Sequence, residues 1–230
     1  TLYFTDHRLL ASPFRHSGLW TVPGLSGWAA DRLVITNASL RFPAAGFTLT
    51  VTNSLILAGD HYGYYGLTLD GGSVFCGGDC VVRGSTLALP RSEPRRPEVS
   101  VGGDLLLTNA TTSSLTGGQI AIAAGPTNEA AAWGGRVDVG GLLHLARYST
   151  IQAVSHPTNA GSVLFTVGAL TLDAGGTMTA RACGFAPYNG PGAKGTFDSH
   201  WGAAHGGRGG NNPVAPYGCS NAPALPGSGG

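Results

Sequence analysis

A chain of 230 residues with 13 Lys and Arg against 12 Asp and Glu carries a net charge of +1 and only 11% charged residues, which excludes the basic patch or stripe of a nucleic-acid binder. Its 42% hydrophobic content rules out a disordered low-complexity chain, and no apolar run approaches the roughly 18 residues of a membrane span. At this length an all-β chain is commonly one domain.

Residues 1–32 read as an irregular N-terminal cap, in which Trp20, Trp28, Phe14, Pro13 and Pro23 alternate with His7, Arg8, Arg15 and His16. An aromatic, proline-bearing segment ahead of the first clear strand suits a plug over the open end of stacked strands. The competing expectation is a sugar-stacking platform formed by Trp20 and Trp28, but no polar cluster surrounds the two rings in sequence.

Short strands follow from Leu33: Leu33–Ile35, Phe47–Val51, Leu55–Leu57, Leu67–Leu69, Val74–Phe75, Val81–Val82 and Leu87–Leu89. Turn formers such as Thr36-Asn37, Asp70-Gly-Gly72 and Gly84-Ser85 separate them. Between two of these strands, Asp60-His61-Tyr62-Gly-Tyr64-Tyr65 concentrates three tyrosines, rigid amphipathic rings suited to contact with a glycan or a protein. Its plainer reading is a loop that buries its own rings. Pro90-Arg-Ser-Glu-Pro-Arg-Arg-Pro97 then interrupts the pattern and reads as a solvated surface loop, 90–97, since prolines and arginines are poor ladder members.

A phrase recurs along the chain: Leu49-Thr-Val51-Thr-Asn-Ser-Leu55-Ile-Leu57, Val99-Ser-Val101-Gly-Gly-Asp-Leu105-Leu-Leu107 and Val137-Asp-Val139-Gly-Gly-Leu-Leu143-His-Leu145. It returns one residue shorter as Phe165-Thr-Val167-Gly-Ala-Leu170-Thr-Leu172. Each copy is two alternating strands around a small-residue corner, followed by a short strand of the Ser/Thr, apolar, Ala kind. Three strands per unit of roughly 20–30 residues is the requirement of one coil of a solenoid. The expected fold is therefore all-β, a right-handed parallel β-helix over residues 33–182, with no helix beyond a turn or two. Val137, Val139, Leu143 and Leu145 should face inward, and Asp138 and His144 outward. Residues 183–230, rich in Gly, Pro, His and Asn, read as a Gly-rich C-terminal segment or the start of a further coil.

Four cysteines, Cys76, Cys80, Cys183 and Cys219, allow three pairings, and the tight Cys76-Gly-Gly-Asp-Cys80 loop favours Cys76–Cys80 with Cys183–Cys219. Zinc is disfavoured, because the pairs lack CxxC spacing and no His follows at ligand distance. The sequons Asn37-Ala-Ser39 and Asn109-Ala-Thr111 are candidate glycosylation sites. With the even cysteine count and few lysines they point to an extracellular or cell-surface address. The chain begins at Thr1 and ends at Gly227-Ser-Gly-Gly230 with no visible signal peptide, as expected of a processed product or a piece of a longer protein.

The units around Leu170-Thr-Leu172-Asp-Ala-Gly-Gly-Thr-Met178-Thr-Ala180 resemble the β-helical repeats of large extracellular adhesins and surface proteins. The tail His205-Gly206-Gly-Arg-Gly-Gly210, with Tyr217-Gly218, Pro223 and Gly227-Ser-Gly-Gly230, is similar to a glycine-rich signature of extracellular proteins of protists, green algae, plants and some bacteria. The core resemblance covers about half the chain and the tail about 26 residues. Neither brings a defined catalytic set, and unit lengths here are less regular than in the tidiest adhesin repeats.

Two further constellations carry residue types suited to chemistry. Asp198, His200 and His205 around Trp201 carry metal-ligand residue types without an element to fix their spacing. Arg136, Asp138, His144 and Arg147 lie on the outer face of one expected coil, where β-helical polysaccharide lyases work with carboxylates and a basic residue. However, Asp104, Asp138 and Asp173 come one per unit, whereas catalysis needs converging groups. The expected function is a non-enzymatic structural or adhesive module of a larger surface or filament protein, needing no cofactor or metal. Its expected partners are other copies or neighbouring domains, with glycans as a further class. Candidate contact residues are His61, Tyr62, Tyr64, Tyr65, Trp201 and Tyr217. The runner-up is a carbohydrate-active β-helix, lyase-like or glycan-binding.

Overall fold

The computed structural model describes residues 2–3, 18–60, 65–111, 115–127, 132–158, 161–181 and 183–184. In chain order the strands are β1 (Leu2–Tyr3), β2 (Leu19–Thr21), β3 (Gly27–Thr36), β4 (Ser39–Phe42), β5 (Thr48–Ala58) and β6 (Gly66–Leu69). They continue with β7 (Ser73–Cys76), β8 (Cys80–Arg83), β9 (Thr86–Leu89), β10 (Glu98–Val101) and β11 (Leu105–Thr108). The series ends with β12 (Gln119–Ala123), β13 (Gly135–Leu145), β14 (Thr150–Val154), β15 (Val163–Leu172) and β16 (Thr177–Thr179). Among the described residues there is no helix, and every strand pairing is parallel.

The strands make two sheets. The first runs β1-β2-β4-β6-β9-β12-β14-β16, and the second runs β10-β7-β5-β8-β11-β13-β15 with β3 also on β5 and β10 also on β13. The long strands of the second sheet turn a corner midway. Thr48–Val51 of β5 pairs with Ser73–Cys76, while Leu55–Ala58 of the same strand pairs with Cys80–Arg83. Successive passes of the chain therefore stack in three columns of parallel pairs.

Alternation sets which side chains enter the core. Leu40, Leu67, Leu87, Ile120 and Ile151 stand on one another in one column. Leu49, Val74, Val99 and Val137 form a second, and Leu33, Leu55, Cys80, Leu105 and Leu143 a third. All are buried, so one short strand that could hide little apolar surface alone hides it between its neighbours. Toward the N-terminal end Phe42 stacks on Phe47 with centroids 4.1 Å apart, and Trp28 tilts against Phe42 at 6.1 Å.

The corner of the second sheet explains its glycines. A Cβ on Gly77, Gly102 or Gly140 would lie 2.3, 2.3 or 2.4 Å from the carbonyl oxygen of Thr52, Gly77 or Gly102 in the pass below, closer than a Cβ can come. Polar side chains follow the glycines at the same corner. Asn53 donates through Nδ2 to Asp31 Oδ1, Asp104 N donates to Asp79 Oδ1 at 2.9 Å, and Leu142 N donates to Asp104 Oδ1 at 2.8 Å. The shorter repeat of β15 is absorbed here too, by a register shift between Val139 and Leu142.

Three sequence expectations need correction. The segment 1–32 is not wholly irregular, for β1, β2 and the first half of β3 already join the sheets. Trp20 and Trp28 are half-buried and pack against the core. The expected Cys76–Cys80 bridge is absent: both are free, buried thiols. Each fills an apolar slot of a column, Cys76 between Val51 and Val101 and Cys80 between Leu55 and Leu105, and Cys76 Sγ is engaged with Asp79 O at 3.3 Å. Cys183 is likewise a free buried thiol, and Cys219 lies outside the described residues. Finally, loop 90–97 is solvated only in part: Glu93, Pro94 and Arg95 are exposed as expected, whereas Arg91 and Arg96 on either side are tied down by hydrogen bonds.

Candidate functional site

The connections from the first sheet to the second gather along one side of the molecule. Segment 90–97 is strapped across this side. Arg91 donates from Nε to Ala124 O at 3.1 Å and from Nη2 to Ser155 O at 3.0 Å, and Arg96 donates from Nε to Pro126 O at 2.6 Å. Glu93 Oε1 meets Nε2 of the buried His156 at 2.8 Å. Backbone bonds knit the neighbouring connections, Gly71 N to Pro90 O, Gly125 N to Gly134 O and Gly134 N to Ser162 O. Guanidinium groups here satisfy carbonyls that belong to no ladder, which holds the two ends of the segment down while Glu93, Pro94 and Arg95 stay exposed.

Beside the strap lies a cleft of about 310 Å³ lined by Arg96, Pro97, Glu98, Ala132, Trp133, Gly135 and Arg136. Three kinds of chemistry meet in it. Trp133 is 38% exposed, one of few large apolar side chains left so among the described residues. Arg96 is pinned by Pro126 O, and Arg136 is pinned by Asp138, Nη2 to Oδ2 at 3.0 Å. Glu98 stands directly across the ladder from Arg136, in the register of β10 on β13. Neither guanidinium spends all five of its N–H donors on these contacts. Asp138 Oδ1, on the next outward position, is buried without a hydrogen-bond partner.

A second, shallower depression of about 440 Å³ is lined by Arg83, Thr108, Asn109, Ala110, Thr111 and Ala146. Of the two sequons, Asn109 is half-buried in this depression, whereas Asn37 is exposed in a left-handed turn at φ 50°.

The outer-face constellation expected from the sequence is divided into separate contacts. Arg136 pairs with Asp138, His144 Nε2 lies 3.2 Å from Asp173 Oδ2, and Arg147 covers the ring of Tyr148 at 4.6 Å. Among the described residues no three His, Cys, Asp or Glu side chains converge to hold an ion. Of the tyrosine loop, Tyr65 is half-buried and its carbonyl accepts from Ser85 Oγ at 2.9 Å, while His61, Tyr62 and Tyr64 lie outside the described residues. Asp198, His200, Trp201, His205 and Tyr217 lie outside them as well. Sequence reasoning passed over Trp133 and Glu98. The available signal was a lone tryptophan between Ala130-Ala-Ala132 and Gly134-Gly135, three residues before the Arg136 of the outer-face constellation.

Among the described residues no helix is long and apolar enough to cross a membrane. In comparison with known proteins the chain matches no family model, no curated protein and no solved structure.

Proposed function

We propose that this chain is a right-handed parallel β-helix that serves as a non-enzymatic structural or adhesive module of an extracellular surface or filament assembly. The handedness rests on the rule that parallel crossovers are right-handed in about 98% of cases. The stiffness such a module needs comes from columns that run from β2 to β16 and from β3 to β15 through parallel pairs alone.

One observation carries the reading. Leu170 and Leu172 occupy inward positions above the fully buried Leu143 and Leu145, yet they are 48% and 47% exposed, because among the described residues no strand pairs with the far side of β15. An unpaired edge with apolar inward side chains favours stacking on another copy or a neighbouring domain. In this reading Arg136–Asp138 and His144–Asp173 are ordinary surface ion pairs, and the exposed Asn37 is the sequon better placed to carry a glycan.

The test is sedimentation across a concentration series. Wild type is expected to self-associate, and Leu170→Asp with Leu172→Asp to abolish association while leaving the far-ultraviolet dichroism of a β protein intact. A wild type that stays monomeric at all concentrations, or a double variant that associates equally, would remove the basis of the proposal.

A further inference from the structure

We propose that the cleft between the strap and β13 binds a carboxylate-bearing sugar ring, with Trp133 as the platform and Arg96 and Arg136 as the anion clamp. This goes beyond the assembly reading and stands whether or not the edge of β15 stacks on a second copy.

The argument starts from Trp133. An indole left 38% exposed loses burial that other large rings of this chain obtain, and it does so on the wall of a cleft rather than on an open face. A ring so placed offers a flat apolar surface, and the apolar face of a sugar is a matching partner. The cleft volume of about 310 Å³ is at the lower end for small-molecule sites, fitting one ring with its linkages.

The charges choose among sugars. Two arginines and one glutamate line the cleft, and although Arg136 shares its charge with Asp138, each guanidinium keeps N–H donors for an anionic acceptor. Both arginines are held before any ligand arrives, Arg96 by Pro126 O at 2.6 Å and Arg136 by Asp138 at 3.0 Å, which reduces the ordering cost of binding. A planar carboxylate matches the guanidinium fork. Glu98, across the ladder from Arg136, disfavours phosphate relative to an acidic sugar: an ionised carboxylate accepts hydrogen bonds from several sugar hydroxyls, whereas a phosphate dianion sets two negative charges against it.

Calorimetry on the full chain at low salt tests the proposal. An oligogalacturonate is expected to bind with a dissociation constant on the order of 0.1–1 mM, and a neutral cello-oligosaccharide of equal length and inorganic phosphate to bind at least about tenfold more weakly. Trp133→Ala and Arg136→Ala should each weaken binding by about tenfold or more. Trp133→Phe and Arg136→Lys, less disruptive to folding, should fall between these and wild type. Arg147→Ala, outside the cleft, should bind as wild type does. Failure of the acidic oligosaccharide to bind, equal binding of the neutral one or of phosphate, or wild-type affinity in Trp133→Ala each overturns the proposal.

Discussion

At the corner of the second sheet single atoms decide what is allowed. Gly102 cannot carry a Cβ without driving it to 2.3 Å from Gly77 O, and that oxygen belongs to backbone that cannot rotate away. Gly102→Ala should therefore destabilise the fold by about 1–3 kcal/mol, as overpacking does, whereas Ser100→Ala on the outward face should stay within about 0.5 kcal/mol. Urea unfolding measures both. The carboxylate two residues on has an equally local task, since Asp104 Oδ1 accepts Leu142 N. Asp104→Ala should cost about 1 kcal/mol, and Asp104→Asn, which keeps the acceptor, should cost less. The thiols make a different kind of prediction. Burial pushes Cys80 far above its usual range, with nearby Cys76 adding to the shift, and burial likewise raises Cys76. The folded chain then keeps protons that the unfolded chain releases, so stability tied to these groups is full below about pH 8.5 and is lost as pH rises beyond it. Between pH 7.5 and 10 the urea midpoint of wild type should fall more steeply than that of Cys76→Val with Cys80→Val. Parallel slopes would contradict this account, and both thiols should resist a thiol reagent until the protein unfolds.

Among elements, the strap 90–97 shows best what a half-buried arginine can do outside a helix or ladder. Arg91 holds two carbonyls that lie 33 and 64 residues along the chain, Ala124 O and Ser155 O. Arg91→Ala leaves both without that donor and should cost about 1–3 kcal/mol. It should also speed tryptic cleavage at Arg95 in the native protein. Unchanged cleavage would mean that the strap is held by Arg96 and Glu93 alone. None of this was legible in the sequence. Val137, Val139, Leu143 and Leu145 were, because alternation is a local signal and the inward face of β13 follows from it directly. The corner glycines were legible as a corner, although not as a stack of close approaches. By contrast, the partners of Arg91, Arg96 and Glu93 are backbone carbonyls and one histidine at long range, which leave no periodic trace. The Cys76 and Cys80 positions show the opposite failure. Their spacing suited a bridge, but the alternation that sends Val51 and Leu55 inward sends both thiols into separate slots of the core. Trp133 was missed for the same reason as the strap: its cleft forms only where two connections and β10 and β13 come together.

Across the whole molecule, stability should vary with position along the stack. Interior strands such as β8, β9 and β11 are paired on both sides, and Leu87 and Leu105 are wholly buried. Among the described residues the last pass is paired on one side only: β15 runs from half-buried to exposed, where β13, one pass below, alternates fully buried residues. Because the strand ladders join each pass only to the passes on either side, the energy of a substitution within a strand depends on how many neighbours cover it. Leu87→Ala should cost about 2–5 kcal/mol, while Leu172→Ala, at a side chain already half in water, should cost less than about 1 kcal/mol. Amide exchange reads the same gradient without mutation. In dilute protein, amides of β8, β9 and β11 should exchange last and those of β15 and β16 first, since the latter open without disturbing the interior. Raising the protein concentration separates the intrinsic gradient from assembly: if copies stack on the edge of β15, its protection should rise with concentration while that of β8 stays constant. Exchange that is uniform along the chain would show a single cooperative unit and contradict the neighbour-by-neighbour account. A gradient that ignores concentration would leave that account standing and remove the edge of β15 as a contact between copies.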